Sequence, residues 1–133
     1  MLSWHRVLVY RLVSPTSYEE ASMHLINQVK LGFNVDNLSV LHGSNLTILA
    51  AGHPSGLSLM HLARDPYTLG SAKRYSGSRI VSVDVETGRT RDVFIDDGRY
   101  FRSSSAAHGS RKGALLISGL YEDGLLRCRG VDF

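Results

Sequence analysis

Asp36 and Asn37 are the pair in this chain best suited to chemistry. A carboxylate beside a carboxamide offers two hard oxygen donors, and hard oxygen is what calcium takes from proteins. The pair follows Gly32-Phe-Asn-Val35 and opens an apolar strand. At the first turn of an innermost strand, both side chains would point toward a common axis. The plainer use of the same two residues is an Asx turn that opens the strand. Asn37-Leu-Ser39 and Asn45-Leu-Thr47 also fit the N-glycosylation pattern. An Asn37 bound to metal would not be free to carry a glycan.

The six histidines, His5, His24, His42, His53, His61 and His108, do not follow the H-E-x-x-H spacing, nor do they cluster with acids. Cys128 is the single cysteine, so an intrachain disulfide and a Cys-based zinc site are excluded. His53 stands apart because it precedes Pro54 in a tight turn between two apolar segments. Such a turn can line one mouth of a propeller channel. The sequence has no P-loop and no dinucleotide-binding glycine pattern. In Gly52-His-Pro-Ser-Gly56 the serine falls one place late for a nucleophile elbow. Nucleotide-dependent and α/β-hydrolase chemistry are therefore disfavoured.

The elements that must position these residues are short strands between Gly, Asp, Asn and Ser turns. Residues 6–13 are rich in β-branched and aromatic types and read as a strand. A turn with Pro15 covers residues 14–17. Residues 18–25 suit either a helical turn or the loop before a strand at 27–31. Strands are expected at 37–41, 45–51 and 57–62, the last as an outer strand. Residues 63–77, with Pro66, Gly70 and Gly77, read as a long loop. Residues 78–85 alternate cleanly, turn at Glu86-Thr-Gly88 and return at 91–95, and Asp96-Asp-Gly98 marks another turn. Strands at 113–120 and 125–129 close the chain. The sum is an all-β antiparallel chain with almost no helix, as a sandwich, a barrel or a propeller segment. The rhythm of strands and connections points toward propeller blades. About two four-stranded sheets side by side are expected, with residues 37–41 as an inner strand.

The chain's 133 residues are one domain's length, and a 43% hydrophobic content against 20% charged is that of a folded protein. Its net charge is +3 and its pI about 9.2, but the cations are scattered without interleaved aromatics. Nucleic-acid binding is therefore not expected. The opening Met1-Leu-Ser-Trp-His-Arg6 lacks the basic-then-apolar order of a signal peptide, and no apolar run approaches a membrane span. No address is legible, so the compartment stays open.

Read as a block, Val35-Asp-Asn-Leu-Ser-Val40 followed by Leu49-Ala-Ala-Gly-His-Pro-Ser-Gly-Leu-Ser-Leu59 resembles the paraoxonase/arylesterase family. That family carries a V-D-N-[IL]-[ST]-V segment and, at this distance, a G-C-H-P-N-type turn. Residues 6–10 resemble its preceding strand, and residues 113–120 and 124–128 its closing strands, so the likeness runs along nearly the whole chain. It implies a partial six-bladed β-propeller of about two blades, with residues 1–133 as its C-terminal part. It further implies calcium in the central tunnel, where one ion polarises an ester or lactone carbonyl. By the same resemblance Asp36 and Asn37 would be two calcium ligands and His53 would stand on the active-site wall. Ser103, Ser104 or Ser105 would lie near the pocket floor, with Ser104 taken as the wall residue. The sequence departs from the family in having Gly52 where the cysteine before the His-Pro turn stands, and in leaving Cys128 without its disulfide partner. The family's other ligands and its proposed catalytic histidines would lie upstream.

Two functions follow from this reading. One is a calcium-dependent carboxylic-ester hydrolase of arylesterase or lactonase type, seen here as its C-terminal portion. The other is a non-catalytic propeller remnant or interaction module. Two oxygen donors cannot fill a calcium shell of 6–8, so the isolated chain is expected to be inactive and poorly soluble.

Overall fold

The structure is a computed structural model that describes residues 5–13, 22–43, 46–64 and 76–133. The turn expected at 14–17, residues 65–75 of the loop expected at 63–77 and the sequon residue Asn45 lie outside the described residues. Among the described residues there are nine strands and one helix, so the all-β expectation holds. The strands form three antiparallel sheets, each a meander in chain order. The first sheet pairs β1 (Arg6–Val13) with β2 (Ser22–Lys30). The second has four strands, β3 (Asn34–Val40), β4 (Thr47–His53), β5 (Ser78–Asp84) and β6 (Thr90–Asp96). The third has β7 (Ser104–Ser110), β8 (Ala114–Gly119) and β9 (Leu125–Arg129). There is thus one four-stranded sheet flanked by a smaller sheet on each face, where two four-stranded sheets were expected.

The middle sheet explains this layering. Its two central strands, TILAAGH and SRIVSVD, are apolar or small at nearly every position and buried on both faces. A strand covered on both sides reads as a continuous apolar run, not as an alternating one. Ala50, Val81 and Val83 pack on one face with Val7, Val29 and Phe33 of the first sheet's side. Leu49, Ala51 and Ile80 pack on the other with Ala107, Leu115 and Ile117 of the third sheet. Gly109 lets β7 come this close, because a Cβ there would stand 2.8–2.9 Å from Leu49, Leu41 and Phe133.

The turns carry local chemistry that fixes the register. The Asp84 carboxylate accepts the Glu86 and Thr87 amides at 3.1 and 2.8 Å, and Gly88 takes φ +71° to close the β5–β6 hairpin. These amides hold the Asp84 carboxyl below the usual carboxylate range. Asp96 accepts the Gly98, Tyr100 and Phe101 amides and turns the chain toward β7.

Two expected elements are corrected. Residues 57–62 are not an outer strand but lie in a helix, α1 (Gly56–Arg64). Ser55 caps it, its hydroxyl accepting the Ser58 amide at 3.2 Å. Leu, Met, Ala and Arg are strong helix formers, and among them only Leu62 is buried. Residues 22–25 are neither a helical turn nor the loop before a strand but the start of β2, where pairing with β1 overrides local propensity. No helix of the described residues is long and apolar enough to cross a membrane.

Candidate functional site

Gly52 and His53 end β4, and three elements meet around them. On one side β4 pairs with β3, with Asn34 opposite His53 and Val35 opposite Gly52. The next ladder pair is Asn37 with Ala51, so Asp36 is an extra residue on β3. Such a β-bulge bends its strand and re-aims the extra side chain. Here the Asp36 carboxylate approaches His53, with Oδ2 at 4.0 Å from Nε2. Gly52 permits the close approach of the bulged strand: a Cβ at this position would overlap the Asn34 carbonyl oxygen and stand 2.9 Å from the Val35 Cα.

His53 is 3% exposed, whereas the Asp36 side chain is about one-third exposed. The imidazole Nδ1 is buried and has no hydrogen-bond partner among the described residues. Burial pushes the His53 pKa below the ordinary imidazole value, and the Asp36 charge offsets part of that shift. Burial therefore favours the neutral imidazole at this site.

Asn37 has a partner on a third strand. Its Nδ2 donates to the Ser105 carbonyl of β7 at 2.9 Å. An amide held through its nitrogen keeps its Oδ1 for another partner. Ser39, two residues on, donates to the Ala107 carbonyl of the same strand. His42 and Ser110 form a parallel bridge, with the His42 amide donating to Gly109 at 2.9 Å. β3 thus runs beside β7, joined to it through side chains and one bridge.

Ser104 lies beneath Gly52. It is fully buried, donates from Oγ to the Gly52 carbonyl at 2.8 Å and accepts the Arg79 amide at 3.2 Å. Its own amide donates to the Ser78 hydroxyl at 2.9 Å. Its hydroxyl therefore braces β7 against β4 and β5. Ser103 is also fully buried, takes φ +50° and has no hydroxyl partner among the described residues, while the Ser105 hydroxyl pairs with that of Ser118 at 3.2 Å. Of these three serines, Ser104 bonds the residue next to His53.

The structure brings Asp36, His53 and Ser104 around one strand end and gives Asn37 a different neighbour. Asp36 and Asn37 sit within β3 and not at the turn that opens it. Sequence reasoning missed Gly52 as a positioning residue. Its signal was a glycine inside an apolar strand, which often marks a close backbone approach. For a hard cation such as calcium, Asp36 and Asn37 could offer a carboxylate and an amide oxygen, part of the 6–8 donors such an ion takes. Among the described residues, no group of three or more His, Cys, Asp or Glu side chains gathers to hold a metal. No protein-family model and no curated protein sequence matches the chain.

Proposed function

We propose that this chain is the C-terminal portion of a calcium-dependent carboxylic-ester hydrolase of arylesterase or lactonase type. In this reading its three sheets are successive blades, whole or partial, of a six-bladed propeller. The observation that carries the proposal is the bulge that sets Asp36 beside the buried, neutral His53 with Asn37 next to it in sequence. The meander order of every sheet and the run of β3 beside β7 support the blade reading, since inner strands of neighbouring blades line one axis.

Asp36 and the Oδ1 of Asn37 would hold the ion, together with oxygens from outside this chain. When bound, calcium supplies Lewis-acid polarisation of an ester or lactone carbonyl. Asp36 contributes the negative charge. His53, neutral because it is buried, forms a wall that adds no competing cation next to the ion. Ser104 holds the Gly52 carbonyl and so the strand end that carries His53.

The alternative is a non-catalytic propeller remnant or interaction module. It is favoured by the large apolar side chains that β1 and β2 leave exposed.

Calorimetric titration with calcium separates the two readings. The hydrolase reading expects weak binding that Asp36→Asn abolishes, without turnover of phenyl acetate or a lactone by the chain alone. Supplying the upstream part of a full-length family member should restore chelator-sensitive turnover. No calcium binding, or binding indifferent to Asp36→Asn, would leave the interaction module.

A further inference from the structure

We infer that the outer face of the β1–β2 sheet is a two-fold interface between copies of this chain. Val7 and Val29 are opposite each other in the ladder and both face the middle sheet. Alternation then sends Leu8, Tyr10 and Leu12 of β1 to the far face. The β2 residues opposite Tyr10 and Leu12 are Leu25 and Met23, displaced onto the same face by the bulge at Ile26, just before Asn27. These five side chains are between 47% and 70% exposed. A surface-facing strand pair normally turns polar residues outward; this one turns five large apolar side chains outward, with Gln28, Arg6 and Lys30 gathered toward one end.

The occupant that fits is a second copy meeting this face with its own. Five half-exposed side chains of this size offer on the order of 500 Å² per copy, or about 1,000 Å² per pair, the lower range of specific interfaces. The charges on this face are Arg6 and Lys30, which pair across one end of the ladder, next to the inward Val7 and Val29. A two-fold axis lying in the interface and running across the strands lays each basic end over the partner's Leu12–Met23 end, so the like charges stay apart. Sheets stack this way about 10 Å apart with side chains interdigitated. The open face of the third sheet lacks this character, because Arg127 and His108 flank its Leu116. In the hydrolase reading a preceding blade would meet the β1–β2 face in place of the second copy. Calcium binding at Asp36 and association through Leu12 are separate properties, so either can fail without the other.

Sedimentation equilibrium of the full chain tests the interface. A monomer–dimer equilibrium is expected, with a limiting mass twice 14.7 kDa. Leu12→Lys and Met23→Lys should each weaken the dimer by about tenfold or more. Both sites are exposed, so the far-UV circular dichroism of each variant should be unchanged. Leu125→Lys, on β9, should leave the dimer intact. A monomer up to ~100 µM, far above the Kd of a specific dimer, overturns the inference. So does association that ignores both β1–β2 variants or that Leu125→Lys weakens equally. A monomer that Leu12→Lys destabilises also overturns it, since a segment of the same chain would then cover the face.

Discussion

His53 Nε2 and Asp36 Oδ2 stand 4.0 Å apart although the two residues belong to different strands and sit at a ladder irregularity. The bulge at Asp36 and the missing side chain at Gly52 make this approach possible together. Without the bulge, regular alternation would carry the carboxylate to a different position; without the glycine, β3 could not come so close.

The first prediction concerns pH. Burial of His53 disfavours its imidazolium, so in the folded state it takes up its proton at lower pH than in the unfolded chain. Between the ordinary pKa of ~6.5 and the lower folded value, the unfolded state binds more protons. The contribution of His53 to stability is therefore complete above the ordinary value and is lost as pH falls toward the folded one. Asp36 opposes the shift, so Asp36→Asn should lower the folded pKa further and deepen the acid loss. Titration of the His53 ring proton resonances in both proteins checks the direction. An unchanged or raised value in the variant would separate the two groups.

Gly52→Ala is the second. The added Cβ meets the Asn34 carbonyl oxygen, which is backbone and cannot rotate away. β3 must shift, at a cost of about 2–3 kcal/mol in urea unfolding. The shift should also uncouple the site, so that the His53 titration no longer responds to Asp36→Asn. A structural role alone would lower stability and leave that response intact.

Ser104→Ala is the third. It leaves the buried Gly52 carbonyl without its donor and the Arg79 amide without its acceptor. The expected loss is about 1–3 kcal/mol by denaturant unfolding. A loss near zero would mean that water reaches this contact and that Ser104 does not brace the strand end.

Much of the frame was legible because buried strands declare themselves. Residues 78–84 alternate or run apolar with β-branched types, and the hairpin after them carries Asp84 and Gly88 at the required places. β7 was not legible: SSAAHGS has none of the usual strand formers and is held by its pairing to β8 and its contacts with β3 and β4. The helix at residues 56–64 was hidden by Leu57-Ser-Leu59, which mimics a strand's alternation. Its Pro54-Ser55 entry and its helix formers were the stronger signal. At the site, residue types gave Asp36, Asn37 and His53, but the bulge that aims Asp36 arises from the pairing of β3 with β4. No pattern within β3 alone encodes it.

The last prediction separates two properties of Asn37. Its Nδ2 holds the Ser105 carbonyl at 2.9 Å and ties β3 to β7, while its Oδ1 is the atom a calcium ion would use. Asn37→Asp keeps an oxygen at that position and adds a negative charge beside Asp36. It also removes the donor and sets a carboxylate against a carbonyl. Stability should therefore fall by about 1 kcal/mol, a modest figure because the contact is exposed. Calcium affinity should hold or rise, since ligand charge strengthens such sites. Asn37→Ala removes both atoms, so stability and calcium binding should fall together. Added calcium should then raise the melting temperature of the Asp variant more than that of the parent chain, by mass action on the folded state, and leave the Ala variant unmoved. If both variants lose calcium binding equally, the amide oxygen is not a ligand and Asn37 serves only to join the two strands.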